Sequence, residues 1–224
     1  MSYKTIASCA ALVALATPAL AGEGGDVFIF TDAGQVKTGA FSHTTESVIS
    51  FNERVFAGEF GEIDPGQPNF SDEPGFRGFA SDFPDGSSWS FDITGPVMQW
   101  NGTDFSTASP YTIELGFGPL SATSGVGPVA GFGVPVSGTD GFDDHLDILL
   151  NAPTDGTADG VYLLTLSLSV SGFADSDEIW FVLNRGMDEP THDAALEYAE
   201  ANVPTPGTLA VLTGALLGGV RRRR

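Results

Sequence analysis

Asp143, His145 and Asp147 alternate along one short segment, while Leu146, Ile148 and Leu150 alternate in the opposite phase. In a strand, side chains two residues apart share a face. The aliphatic set must face a core, which puts the two carboxylates and the imidazole together on the outer face. Such neighbours stand about 6.5–7 Å apart at Cα, close enough for their side chains to converge on one cation. Nitrogen and oxygen donors suit Zn²⁺, whose sites take three or four protein ligands. Calcium is the alternative ion, although residues 140–147 contain no D-x-D-x-D-G loop. His192 or Asp193, at the start of a predicted helix, would complete the shell, as would His43. The same alternation is also what the solvated face of a half-buried strand looks like.

Signatures of catalysis are missing. The chain has no G-x-S-x-G elbow, no H-E-x-x-H, no P-loop and no G-x-G-x-x-G opening a helix. Its carboxylates are too numerous for any one pair to stand out as a glycosidase acid and base. The single cysteine, Cys9, lies in the predicted leader, so the exported domain has no disulfide, thiolate nucleophile or Cys-ligated metal. No catalytic residue is assigned, and the reading is non-enzymatic.

The elements that must position these residues are strands. Runs rich in aromatic and branched residues recur at 26–31, 47–51, 54–60, 89–93, 97–101, 111–117, 129–136, 145–151, 161–170 and 178–184. Turn chemistry separates them, for example Phe83-Pro84-Asp85-Gly86 and Pro153-Thr154-Asp155-Gly156. Many short strands with no intervening helices predict an all-β, antiparallel, jelly-roll-like sandwich. Residues 61–88 show no strand pattern and, too long for an ordinary connection, read as either a functional loop or a partly disordered segment. One short helix is expected over 191–201, capped by Thr191 and stopped before Pro204.

Both ends read as addresses. Residues 1–21 combine Lys4, an apolar run over 6–16 and the Ala19-Leu20-Ala21 cleavage pattern of a secretory signal, which implies processing by signal peptidase. At the other end, Val203-Pro204-Thr205-Pro206-Gly207 precedes an apolar stretch over 208–220 closed by Arg221, Arg222, Arg223 and Arg224. Thirteen apolar residues are marginal for spanning a bilayer, and the arginines favour the cytoplasmic side. This tail resembles the PEP-CTERM sorting signal of exported bacterial proteins, with Thr205 in place of the usual Glu. The resemblance implies transient membrane insertion, handling by an exosortase, and delivery to the cell surface or extracellular matrix. Residues 22–202 then form the single β-domain, and 203–224 the sorting signal.

That middle segment holds all 29 acidic residues against four basic ones, Lys37, Arg54, Arg77 and Arg185, a net charge near −25. Such a surface excludes nucleic acid as a partner and favours solubility. A second resemblance covers about 90 residues of it. Phe117-Gly118-Pro119-Leu120, the run from His145 to Pro153, Gly160-Val161-Tyr162-Leu163-Leu164, the run from Ser176 to Asn184, and His192-Asp193-Ala194-Ala195 look like exported PEP-CTERM proteins placed under the zinc-uptake repressor. In that group the strand carries an H-x-H pattern; His145 matches the second histidine and Asp143 replaces the first. The resemblance implies zinc capture or storage at the surface, and no known catalytic activity. Two other functions compete: a carbohydrate-binding or structural matrix module using Trp89, Trp100 or Trp180 on extracellular polysaccharide, and a carboxylate-dependent hydrolase.

Overall fold

The computed structural model describes residues 25–204 apart from 137, 138 and 140. The leader at 1–21 and the sorting residues Thr205, Pro206, Gly207 and Arg221 to Arg224 lie outside the described residues; Val203 and Pro204 directly follow the last helix. Along the chain run β1 (Asp26–Asp32), β2 (Gln35–Ser42), β3 (Ser47–Phe51), β4 (Val55–Glu59), β5 (Phe70–Ser71), β6 (Phe76–Gly78) and β7 (Ser88–Ile93). There follow β8 (Met98–Gln99), β9 (Thr107–Ala108), β10 (Thr112–Phe117), β11 (Leu120–Thr123) and β12 (Val129–Pro135). The chain continues through β13 (Phe142–Asp144), β14 (Asp147–Asn151), β15 (Gly160–Val170), β16 (Ile179–Arg185) and α1 (Glu189–Asn202).

The fold is all-β with one C-terminal helix. Three sheets form, in the orders β13-β6-β1-β2-β3, β11-β10-β14-β5 and β12-β7-β15-β16-β4. Most pairings are antiparallel, but β1 runs parallel to β6 and β16 parallel to β4. One continuous core draws on all three sheets, including Val27 and Phe76, Ile113 and Ile148, and Trp89 and Leu166. In β15, Tyr162, Leu164, Leu166, Leu168 and Val170 point into that core, while Val161 and Leu163 point to the opposite side. There they meet Ala195, Leu196 and Ala199 of α1. Both faces of this part of β15 are thus apolar, as a covered central strand requires.

Residues 61–88 are more ordered than the sequence pattern implied. Besides a short 3₁₀ turn at Ala80–Asp82, the segment supplies β5 and β6, and β6 sits inside the first sheet between β1 and β13. Strands of two or three residues are too short to show a period in the sequence. β2 was also hidden: Thr38, Gly39, Ala40 and Ser42 blur its alternation. The turn before it, Ala33-Gly34, has φ of 49° and 83°, the left-handed pair a tight hairpin needs. The helix begins earlier than expected because Asp188, not Thr191, is its cap: the Asp188 carboxylate accepts from the Thr191 backbone N–H and hydroxyl, and Pro190 fits the first turn.

Candidate metal centre

The site lies at one end of the first sheet and follows from strand register. Val27 pairs with Phe76, and Phe76 with Asp144. One step further along this row stand Asp26, Gly75 and His145, with the glycine in the middle. Neighbouring strands are about 4.8 Å apart, so the flanking side chains can reach each other only across the space the glycine leaves open. A Cβ on Gly75 would lie 2.7 Å from His145 Cε1 and 2.8 Å from Asp26 Oδ1. On the far side of Asp26, β2 contributes His43, one residue past its end; Asp26 pairs with Phe41, two residues earlier. Asp143, in β13, completes the group from the other flank.

These four residues place one donor atom each so that all lie within 4.8 Å of one another. His43 Nε2 is 2.5 Å from Asp26 Oδ2 and 3.9 Å from Asp143 Oδ1. His145 Nε2 is 3.8 Å from the same Asp143 oxygen. The two imidazole rings stand 6.2 Å apart. Asp26 is buried, whereas His43 and Asp143 are nearly half exposed, at 45% and 44% of their side-chain surface, so the cluster has a closed base and an open mouth.

The turn carrying residues 72–75 fixes the ligands from behind. His145 Nδ1 is 3.1 Å from the Asp72 carbonyl and 3.5 Å from Glu73 Oε1. With the Nδ1–H donated to that carbonyl, Nε2 presents a lone pair toward Asp143, the tautomer a metal ligand requires. The Gly75 backbone N–H donates to Asp26 Oδ1 at 3.0 Å and to Glu73 Oε2 at 3.0 Å, tying the buried carboxylate to the same turn.

The electrostatics call for positive charge. The hydrogen bond to Asp26 raises the His43 pKa, with the charges of Asp26 and Asp143 adding to it. For His145, burial acts downward, but Glu73, the Asp72 carbonyl and the charges of Asp26 and Asp72 outweigh it, and its pKa is also raised. Burial, reinforced by Asp26, pushes Glu73 up to about 7. Protons are therefore held by a nest of carboxylates, and a divalent cation bound to the same atoms would replace them.

The structure brings Asp143 and His145 together, and adds His43. It does not bring in Asp147 or His192. Asp147 does face outward, as its phase required, but the strand breaks after Asp144 and the chain crosses into the second sheet, where Asp147 pairs with Gly116. His192 lies on the far side of the third sheet: only 5% exposed, it sits on α1 with Nε2 3.2 Å from the Val182 carbonyl and Nδ1 3.7 Å from Glu59. Asp193 is exposed on that helix. Asp72, Glu73 and Asp26 escaped sequence reasoning because long-range pairing sets them beside His145: β6 against β13 brings in Asp72 and Glu73, and β1 against β6 then adds Asp26.

Searched against protein-family models, curated proteins and solved structures, the chain finds no match.

Proposed function

We propose that the protein is a non-enzymatic, exported β-domain that binds a divalent transition metal, with zinc the best fit, through Asp26, His43, Asp143 and His145. The observation that carries this reading is the convergence of two imidazole nitrogens and two carboxylate oxygens at one open-mouthed corner. A donor set of two imidazole nitrogens and two carboxylate oxygens matches zinc better than calcium, which prefers six to eight oxygens. The ends of the chain support export, exosortase sorting and delivery to the cell surface or matrix, where such a domain would capture or store the ion. A polysaccharide platform has less support: Trp89 is fully buried, and Trp100 packs against Phe105 and Tyr198.

Thermal melting of the purified chain after chelation, with zinc or calcium added back, tests the metal reading. A ligand that binds only the folded state stabilises it by about 2.7 kcal/mol at 100 times its dissociation constant. We expect a rise in Tm with zinc, little with calcium, and loss of the zinc rise in His145→Ala. Equal rises with both ions, or none, would refute the assignment.

A further inference from the structure

The distribution of cations marks a second site. Of the four basic residues in the 22–202 segment, two are consumed by the fold. Arg185, only 3% exposed, pairs with Asp159 and donates to Asn69 Oδ1 and the Pro153 carbonyl. Arg77 donates to the Phe142 carbonyl and lies over the rings of Phe41 and Phe79. The other two, Lys37 and Arg54, line one cavity together with Val36, Thr38, Asn52 and the loop residues Ser176 and Asp177. Its volume is about 280 Å³, just under the roughly 300–1,000 Å³ typical of small-molecule sites.

Within this cavity the polar groups are unequally engaged. Asp177 holds Lys37 at 3.5 Å, and the Thr38 hydroxyl donates to the Glu53 carbonyl. The Ser176 hydroxyl donates to the Asp177 carbonyl and accepts from the Leu168 N–H. Among the described residues, the Arg54 guanidinium makes no hydrogen bond or ion pair, and the exposed Asn52 side-chain amide makes none either. A planar five-donor fork beside a primary amide, next to the aliphatic stem of Lys37, recognises a carboxylate with hydroxyls on a compact body.

We propose that this cavity binds a small hydroxylated carboxylic acid of the sugar-acid class, its carboxylate on Arg54 with support from Lys37 and a hydroxyl on Asn52. The domain's net negative charge does not forbid this, because at physiological ionic strength charges beyond about 8 Å are largely screened, and within the cavity Asp177 offsets Lys37 but leaves the Arg54 charge uncompensated among the described residues. The site is separate from the metal corner: Lys37 lies in β2 six residues before His43, Arg54 directly precedes β4, and no lining residue belongs to the His43 cluster.

Titration of the isotope-labelled, metal-free chain with glucuronate, followed by amide chemical shifts, tests the proposal. We expect saturable shifts confined to the amides of Val36, Lys37, Asn52, Arg54 and Ser176, none with glucose, and weaker binding of acetate. Arg54→Gln should weaken glucuronate by about tenfold or more, the loss expected for a charge-assisted hydrogen bond. Asn52→Gly, which suits the positive φ of 66° at that turn, should keep the fold and bring glucuronate down toward acetate. Saturation by glucose, or no saturable shift with glucuronate, would overturn the site. Equal binding of acetate and glucuronate would overturn the hydroxylated ligand.

Discussion

Two regions of this molecule pair histidine with carboxylate, and they differ in what surrounds the pair. At the corner of the first sheet, His43 and His145 face each other across Asp26 and Asp143 with a mouth open to solvent. Behind the third sheet, His192 is buried on the inner side of α1 with one nitrogen on a backbone carbonyl and the other near Glu59. In the first, both Nε2 atoms stand 3.8–3.9 Å from one Asp143 oxygen, a gap a metal could bridge, while His43 hydrogen-bonds Asp26 directly. In the second, one nitrogen rests on the Val182 carbonyl and the other stands 3.7 Å from Glu59, and among the described residues no group of three ligating side chains forms there. Residue type is the same in both. Access and the number of convergent donors separate a ligand set from a packed polar side chain.

The sharpest way to break this comparison is to remove each histidine separately. Because His192 is buried and hydrogen-bonded, His192→Ala should destabilise the chain by about 1–3 kcal/mol, measured by urea unfolding, while leaving the zinc-induced rise in Tm intact. His43→Ala should do the reverse, losing the zinc rise with little change in metal-free stability. If His192→Ala abolished the zinc rise while His43→Ala kept it, the two regions would have exchanged roles. A smaller change probes the row through which the corner is built. Gly75→Ala puts a methyl 2.7 Å from the His145 ring and 2.8 Å from the Asp26 carboxylate, so one of them must move. Zinc affinity measured by competition with a chelator should fall about 10–100-fold, as it does when outer-shell support is disturbed. Unchanged affinity would mean that the ligands do not meet across Gly75.

Much of the fold was legible because burial imposes a period. The alternation of Leu164, Leu166, Leu168 and Val170 is what the third sheet required, and 47–51 matches β3 end to end. What lacked contrast stayed hidden: β2 is diluted by Thr, Gly and Ala, and β5 and β6 are too short to repeat. The candidate site was half legible for the same reason. Phase along one segment placed Asp143 and His145 outward together, but phase cannot reveal that the chain changes sheets before Asp147. Nor can it show that Asp26 lies near His145, because residues 119 positions apart are joined only through β6, which pairs parallel with β1 and antiparallel with β13. Local pattern fixes which way a side chain points, and register decides what it points at.

The smallest expected effect concerns pH in the metal-free chain, and it again divides the two regions. His43 has its pKa raised in the folded state by Asp26, so folding takes up a proton there. A raised folded pKa contributes stability that is fully present below the unfolded value of about 6.5 and is lost as pH rises through the folded pKa. The gain is modest, because His43 is nearly half exposed and solvent screens the pair. Zinc binding must run the opposite way, since both imidazoles must shed protons to become ligands. Stability against pH should therefore slope downward through the neutral range without metal, and this slope should flatten in His43→Ala. With saturating zinc it should turn upward over the same range. His192→Ala should keep the upward slope seen with zinc, since that residue is not among the ligands. A metal-free profile that His43→Ala leaves unaltered would show that the Asp26–His43 pair is not formed in solution, and with it would go the base of the corner site.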